Sequence, residues 1–209
     1  MIVAVDGPTA SGKGTIARAI ARHFGLPHLD TGLLYRAVGH QTRLNGGDPD
    51  SEADALAACD FPLALLDEPE LRSELTGGLA SRVSVHPAVR QELLDRQRTF
   101  AHQPGGAVLD GRDIGTVIVP EADAKLFVTA DAAVRARRRF GEMQERDYPA
   151  ELKEVEADIA ARDERDRNRA QAPLRAADDA IVLDTSSLDR DDAIAEAIRL
   201  VERRITPRR

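Results

Sequence analysis

Apolar residues along the chain form five short continuous runs. They are 2–5 (IVAV), 26–30 (LPHLD), 107–110 (AVLD), 125–129 (KLFVT) and 180–184 (AIVLD). Runs of this length without alternation are typical of strands buried on both faces of a parallel sheet. The pattern therefore predicts five strands, each covered by other elements on both sides.

Between these runs the apolar positions recur with the period of an amphipathic helix. The clearest helical segments are 13–24, 32–44, 87–101, 131–145, 150–168 and 190–204. Strands that alternate with helices indicate βαβ units and a parallel sheet. The fold class predicted from the pattern is α/β, with a five-stranded parallel sheet covered by helices.

Two segments interrupt this alternation. Residues 45–86 contain the pairs GG, DP, EP and HP and no strong strand, which is too long for a plain connection. We expect an insertion or a small subdomain there. Residues 140–170 are rich in charge and poor in apolar residues, which favours a mobile helical flap rather than part of the core.

Composition narrows the functional classes. The net charge of −7 argues against non-specific binding to nucleic acid or to membranes. The single cysteine, Cys59, excludes an internal disulfide. The chain has no basic-then-apolar leader and no apolar run near the ~20 residues that span a bilayer, so we expect a cytoplasmic protein.

The stretch GPTASGKGT directly follows the first predicted strand and leads into the first predicted helix. Its glycines allow backbone N–H groups to converge on an anion, and its lysine adds a positive charge. We predict that it binds the phosphates of a nucleoside triphosphate through Gly7, Pro8, Thr9, Ala10, Ser11, Gly12, Lys13, Gly14 and Thr15. The alternatives are a tight turn with a surface lysine, or the loop of a nucleotide-dependent switch, although the chain has no N-K-x-D motif.

Polar residues follow two further predicted strands at their carboxyl ends, where parallel sheets bind ligands. Asp30 and Thr31 follow the second strand, although Thr31 is equally suited to cap the next helix. Asp110 ends the third strand and resembles an acid that holds Mg²⁺, together with Thr15 and partly through water. Arg112 and Asp113 come next, in a turn flanked by glycine.

Arginines are concentrated in the last third of the chain. Arg135, Arg138 and Arg139 share one helix face by their spacing, and Arg162, Asp166 and Arg169 share another. Such a set suits a lid that closes over phosphates and a ribose. For any one charge run the plainer interpretation is a solvated, salt-bridged helix face.

The segments GPTASGKGT, LDTGLLYR, SRVSVHPAVRQELLDRQR, DGRDIGTVIVP and RDERDRNRAQAPL occur in this order. In sequence and spacing the chain resembles the bacterial cytidylate kinases, a family of P-loop nucleoside monophosphate kinases, from residue 2 to about residue 186. GKGT and GKST both occur in that family, so Gly14 is compatible with it. Between Arg36 and Ala80 the chain looks shorter than many members.

The resemblance implies a P-loop core at 1–36, 87–137 and 170–209. It also implies an inserted CMP-binding subdomain at 37–86 and an arginine-rich lid at 138–169. The implied reaction transfers the γ-phosphoryl group of ATP to CMP or dCMP, giving ADP and CDP or dCDP, with Mg²⁺ as cofactor. The implied oligomeric state is a monomer, and the implied role is in pyrimidine nucleotide metabolism. No nucleic-acid or membrane partner is implied.

The resemblance also implies roles for individual residues. Ser81, Arg90 and Asp113 would bind the cytosine, with Ser84 as the alternative to Ser81. Arg162 and Asp166 would bind the ribose. The implied CMP-binding set is Asp30, Thr31, Tyr35, Arg36, Ser81, Arg90, Gly111, Arg112, Asp113, Arg162, Asp166 and Arg169. The implied catalytic set is Lys13, Arg112, Arg138, Arg139 and Arg169.

Two other functions remain open at this point. The chain could be a P-loop kinase for another small acceptor, such as AMP, UMP or a hydroxylated metabolite. It could also be a nucleotide-gated binding protein that uses the same loop as a switch.

Overall fold

A computed structural model describes residues 1–145 and 148–206 of the chain. Five strands form one sheet in the order β2-β3-β1-β4-β5. The strands are β1 (Ile2–Asp6), β2 (His28–Asp30), β3 (Ala107–Gly111), β4 (Ala124–Thr129) and β5 (Ile181–Asp184). The pairs of β1 with β3, β1 with β4 and β4 with β5 are all parallel, which confirms the predicted fold class.

The second strand is shorter than predicted. It begins at His28 rather than at residue 26, because Pro27 has no N–H to contribute to a strand ladder. The Pro27 carbonyl still accepts a hydrogen bond from Val108 N at 2.9 Å.

Helices flank the strands, and those outside the segment 45–86 lie close to the predicted positions. They are α1 (Lys13–Phe24), α2 (Thr31–Leu44), α3 (Glu52–Ala57), α4 (Glu74–Val83), α5 (Pro87–Ala101), α6 (Ala132–Gln144), α7 (Leu152–Asn168) and α8 (Arg190–Ile205). Of these, α3 and α4 lie within the segment 45–86, together with two short 3₁₀ turns, Leu63–Asp67 and Pro69–Arg72. That segment, all of it described, is helical and contains no strand.

The chain divides into two compact units. The first comprises Met1–His28 and the chain from Ala101 onward, and the second is Leu29–Phe100. The second unit is wider than the predicted insertion at 37–86. Residues 146 and 147 of the predicted lid, and 207–209 of the predicted core, lie outside the described residues.

The first unit has its core on the sheet. Val3 and Val5 of β1 pack with Leu126 of β4 and with Ile16 and Ile20 of α1, all nearly inaccessible to solvent. Three alanine and valine positions of α8 complete this cluster, namely Ala193, Ala197 and Val201. This cluster packs the sheet against α1, the helix that follows the loop after β1.

The α6 and α7 helices form a smaller cluster within the same unit. Ala136 and Met143 of α6 are buried with Val155 and Ile159 of α7. Ala10, from the loop before α1, packs against this cluster. The charged stretch therefore has its own small apolar core, and that core touches the loop.

The second unit is built on a close contact between α2 and α4. A Cβ atom at Gly39 would lie 2.8 Å from Leu79 Cβ, so only glycine permits this approach of the two helices. Leu71, Val83 and Leu93 are fully buried in the same cluster.

Among the described residues, no helix is both long and apolar enough to cross a bilayer.

Candidate active site

The loop between β1 and α1 has the backbone of a phosphate-binding loop. A Cβ at Gly7 would overlap the carbonyl oxygen of Val128, so the first loop residue must be glycine. Gly12 adopts the left-handed conformation, with φ 87°, at the N-cap of α1. Its carbonyl accepts from Thr15 N and Ile16 N, both at 3.1 Å, which starts the helix directly behind the loop.

The same loop is anchored through its carbonyl groups. Lys13 Nζ donates to Pro8 O at 3.3 Å, so the lysine side chain folds back over the loop. Arg135 Nη1 donates to Thr9 O at 3.1 Å, and Thr185 Oγ1 donates to Ser11 O at 3.3 Å. These contacts fix the loop from α6 and from the residue after β5.

Asp110 lies at the end of β3, beside the start of α1. Its side chain is 4% exposed, and His28 Nε2–H donates to its Oδ1 at 2.7 Å. A Cβ at Gly14 would lie 3.5 Å from Asp110 Oδ2, which places that second oxygen next to the first turn of α1. Carboxylate and hydroxyl oxygens are the ligands that Mg²⁺ prefers, so Asp110 and Thr15 fit the predicted magnesium site.

Arg112 connects the turn after β3 to two other elements. Its Nη2 donates to Thr9 Oγ1 of the phosphate loop at 2.8 Å, and its Nε donates to Asp166 Oδ2 of α7 at 2.7 Å. Burial raises the pKa of Asp166, but the charges of Arg112 and Arg169 outweigh burial and hold that pKa below its usual value. Arg112 thus brings together Thr9 and Asp166, which were both predicted as site residues. Asp166 is ionised at neutral pH.

Asp6 was not predicted as a site residue, although it ends β1 just before the loop. Its two carboxylate oxygens accept from the backbone N–H groups of Ile114 and Gly115, both at 2.8 Å. Burial, with a smaller contribution from the charge of Asp113, raises the pKa of Asp6 to about 7 despite these bonds and the charge of Lys13. The signal in the sequence was an acid at the carboxyl end of a buried strand, the same signal that singled out Asp110.

Arg135 and Asp163 were also missed as a pair. Arg135 donates to Asp163 Oδ1 at 3.2 Å and Oδ2 at 2.6 Å, and both side chains are almost wholly buried. The helix-face spacing placed Arg135 beside Arg138 and Arg139, but it contained no information about a partner on α7. This ion pair joins α6 to α7 and, through Thr9 O, to the phosphate loop.

The remaining predicted arginines of the first unit lie in different surroundings. Arg138 donates to Thr185 Oγ1 at 3.0 Å and to Thr185 O at 2.7 Å, so the segment after β5 holds it. Arg139 Nη1 donates to Glu142 Oε2 at 2.7 Å. Arg162 is buried, and burial lowers the pKa of its guanidinium although Asp158 opposes this effect. Arg169 is buried at the end of α7.

The second unit contains the other predicted residues. Arg36 Nη1 donates to Leu71 O at 2.7 Å and to Ser73 O at 2.9 Å. The guanidinium of Arg90 lies 5.8 Å from the centre of the Tyr35 ring, within range of a cation–π interaction. Tyr35, Arg36 and Arg90 are therefore held by their neighbours within the unit.

Residues at the ends of α2 and α4 complete the predicted set in this unit. Asp30 is the N-cap of α2 and Thr31 its first residue, so the alternative in which Thr31 caps the helix is wrong. Ser81 lies within α4 and Ser84 caps its end, with Ser84 Oγ donating to Ser81 O at 3.1 Å. Arg90 Nη1 donates to Ser84 O at 3.4 Å. The assignment of Ser81 to cytosine stays a prediction.

A parallel sheet with a glycine- and lysine-containing loop after its first strand, and an acid at the end of the neighbouring strand, is typical of P-loop nucleotide-binding proteins. The sequence profile of the cytidylate kinase family matches residues 3–203. The cytidylate kinase of Xanthobacter autotrophicus is 55% identical over 98% of both chains. That of Azorhizobium caulinodans is 54% identical over 97% of this chain and 98% of its own. The chain therefore belongs to the cytidylate kinase family, and it is a phosphotransferase.

Solved structures with lower identity agree in fold alone. A sugar kinase from Janibacter superposes with a TM-score of 0.51 at 16% identity, over 96% of this chain and 94% of its own. An uncharacterised protein from Eubacterium ventriosum gives a TM-score of 0.56 at 13% identity, over 97% and 98% of the two chains.

Proposed function

We propose that the protein transfers the γ-phosphoryl group of ATP to a phosphate oxygen of CMP or dCMP, giving ADP and CDP or dCDP. The observation that carries this proposal is the position of Arg112. It contacts the phosphate loop through Thr9 at 2.8 Å and the ionised Asp166 at 2.7 Å. A cation that touches both the donor loop and a carboxylate suited to a ribose hydroxyl is what a nucleotide acceptor requires.

The reaction needs no general base in this scheme. The second pKa of a phosphate monoester is about 6, so the acceptor phosphate is already anionic at neutral pH. Catalysis then consists of positioning and of neutralising charge along an in-line displacement. Lys13 and the arginines supply that charge, and the lid at 138–169 excludes the water that would otherwise hydrolyse ATP.

We assign the donor side to the phosphate loop, Gly7 to Thr15. We assign to Lys13 the neutralisation of charge on the transferred phosphoryl group. We assign the same role to the lid arginines Arg138 and Arg139. When bound, Mg²⁺ would neutralise charge on the phosphates of ATP, and Thr15 and Asp110 are the residues that would hold it. His28 fixes the orientation of Asp110 for that task.

The acceptor residues are assigned unit by unit. In the first unit, Arg112 and Arg169 bind the CMP phosphate, Arg162 and Asp166 bind the ribose, and Asp113 accepts from the cytosine amino group. In the second unit, Arg36 binds phosphate, while Ser81 and Arg90 donate to the ring nitrogen and carbonyl of cytosine. Uracil has the opposite donor and acceptor pattern at two positions, so these groups would be left unpaired with UMP.

One assay tests the proposal against its alternatives. ADP release is measured with ATP and Mg²⁺ in the presence of CMP, dCMP, UMP, AMP or shikimate in turn. We expect rapid turnover with CMP and dCMP and slow turnover with the other three. Faster turnover with AMP, UMP or shikimate would assign a different acceptor, and slow hydrolysis that ignores every acceptor would indicate a nucleotide switch.

We also propose that the protein acts as a monomer in the cytoplasm, as the resemblance to its family implies. Light scattering coupled to size-exclusion chromatography should give the mass of one chain. The mass of two chains would contradict the proposal.

A further inference from the structure

The carboxylate of Asp6 holds the start of the segment that follows Arg112 and Asp113. Asp6 is 4% exposed, and its Oδ1 and Oδ2 each accept one backbone hydrogen bond, from Ile114 N and Gly115 N, at 2.8 Å. Both donors belong to the first turn of a π-helical segment, Ile114–Ile118. The N–H groups of a first helical turn have no partner within the helix, so a carboxylate placed there satisfies two of them together.

The segment is one short π-helical turn, and Asp113 is the residue at which it begins. The Asp113 carbonyl accepts from Val117 N at 2.9 Å and from Ile118 N at 3.2 Å, and Ile114 O accepts from Val119 N at 2.8 Å. The side chain of Asp113 is buried at the point where this turn begins. Any shift of the turn would therefore move Asp113 with it.

The other side of Arg112 and Asp113 is fixed by the sheet. Asp6 of β1 is paired in register with Gly111 of β3, and Gly7 N donates to Gly111 O at 3.3 Å. Asp6 thus lies beside both ends of the Arg112–Asp113 segment. Its backbone belongs to the strand pair that precedes Arg112, and its side chain accepts the hydrogen bonds that follow Asp113. The turn also packs closely, because a Cβ at Gly115 would lie 3.1 Å from Lys125 Cδ.

We propose that Asp6 is a positioning residue for the acceptor nucleotide. Its carboxylate clamps the N–H groups of Ile114 and Gly115 and thereby holds Arg112 and Asp113 in the geometry that binds CMP. This inference rests on the function proposed above for Arg112 and Asp113.

A carboxylate is the side chain that this task requires. Both of its oxygens accept hydrogen bonds, whereas an asparagine presents one acceptor and one NH₂ group, which would face a backbone N–H. Burial raises the pKa of Asp6 to about 7, against the two N–H bonds and the charge of Lys13 on α1. The other charged groups at this place are Asp113, whose charge contributes to the raised pKa, and Lys125 of β4, whose Nζ donates to Pro120 O and to Asp179 Oδ1.

The test compares Asp6→Asn with Asp123→Asn in the full chain. Asp123 Oδ2 also accepts from a backbone N–H of β1, Ile2 N at 2.7 Å, but at the other end of that strand, so it is a matched control. Asp6→Asn should raise the KM for CMP at least about tenfold, since a hydrogen bond to a charged group is lost. The KM for ATP should change less than about threefold, and Asp123→Asn should change neither.

A double-variant cycle decides whether Asp6 acts through Asp113. Asp113→Ala alone should raise the KM for CMP, and adding Asp6→Asn should then raise it little further, because the positioned group is already gone. Effects that multiply would overturn the inference. So would equal increases in KM for ATP and CMP, which would make Asp6 a support of the phosphate loop, or a result for Asp6→Asn that matches the control.

Two further measurements keep the outcomes distinct. If Asp113→Ala leaves the KM for CMP unchanged, the proposed role of Asp113 fails directly, and the inference that depends on it fails too. Hydrogen exchange on the unmodified protein needs no variant to fold. The amides of Ile114 and Gly115 should be protected, and rapid exchange at both would show that the clamp does not form in solution.

Discussion

Lys13 and Arg112 are the single residues on which the proposed chemistry depends most. Lys13 Nζ lies 3.3 Å from Pro8 O, and Arg112 Nη2 lies 2.8 Å from Thr9 Oγ1, so two cations contact one loop. The sequence predicted both residues, because the loop motif and the glycine-flanked turn are local patterns. It did not predict that Arg112 touches the loop itself, since Arg112 and Thr9 are 103 positions apart in the chain.

Replacing Lys13 tests the donor side. We expect Lys13→Ala to lower kcat at least about a hundredfold, because a preorganised cation at developing charge contributes a few kcal/mol. Steady-state kinetics with CMP measures this, and Lys153→Ala on the exposed side of α7 is the control. A Lys13→Ala enzyme that retains half of its kcat would remove the proposed role.

Replacing Asp166 tests the ribose assignment. Asp166→Asn should reduce kcat/KM for CMP about fivefold more than for dCMP, since only CMP has a 2′-hydroxyl to lose its charged acceptor. Arg36→Met is the control, because Arg36 is assigned to the phosphate that both nucleotides share and its guanidinium is held by Leu71 O and Ser73 O of the second unit. Equal losses for CMP and dCMP with Asp166→Asn would contradict the assignment.

At the scale of elements, the three arginines that share one face of α6 do not share one role. Spacing placed Arg135, Arg138 and Arg139 on one face, and the alternatives were a lid or a solvated face. Arg135 belongs to neither class. It is buried, bonds Asp163 of α7 with two nitrogens, and reaches Thr9 O at 3.1 Å. It therefore joins the α6–α7 pair to the phosphate loop.

Breaking this tie should destabilise the first unit. Arg135→Met leaves the carboxylate of Asp163 buried, with the exposed Arg167 at 3.4 Å, and we expect a loss of about 3 kcal/mol. Urea unfolding measures the loss, and Arg199→Met, which breaks an exposed pair with Glu196, should cost less than about 1 kcal/mol. Adding Asp163→Leu to Arg135→Met should recover most of the stability. No recovery would contradict the buried-charge explanation.

The helices α3 and α4 were not predicted. The segment that contains them is rich in glycine and proline, and α4 includes Gly77 and Gly78, which disfavour helix. The helix forms because Leu79 and Val83 are buried against α2, in a contact that Gly39 makes possible. Packing between distant segments overrides local preference here.

At the scale of the whole molecule, one buried acid makes the stability of the fold depend on pH. The chain carries a net charge of −7, yet two arginines, Arg112 and Arg135, contact the phosphate loop at Thr9. Asp6 is ionised only against the cost of burial, which raises its pKa from 3.8 to about 7. The folded protein therefore binds up to one more proton at Asp6 than the unfolded chain does between pH 4 and pH 7.

This difference predicts how stability depends on pH. Where the folded state binds more protons, the free energy of unfolding decreases as pH rises. From pH 5 to pH 7 the unmodified protein should lose about 2 to 3 kcal/mol relative to Asp6→Asn, which cannot titrate there. Hydrogen exchange of the β1 amides reports this for the first unit alone. A difference between the two proteins that stays constant with pH would contradict the raised pKa.

The five strands, the helices outside the segment 45–86, the phosphate loop and the family of the chain were all determined by the sequence itself. These features are local, because periodicity and the GPTASGKGT stretch are contained within a few consecutive residues. Only the tertiary structure decided that Asp6 clamps Ile114 and Gly115, that Arg135 is buried with Asp163, and that Arg112 links the loop to Asp166. Such contacts depend on the register of the sheet and on helix packing, so residues far apart in the chain meet at positions that no local pattern encodes.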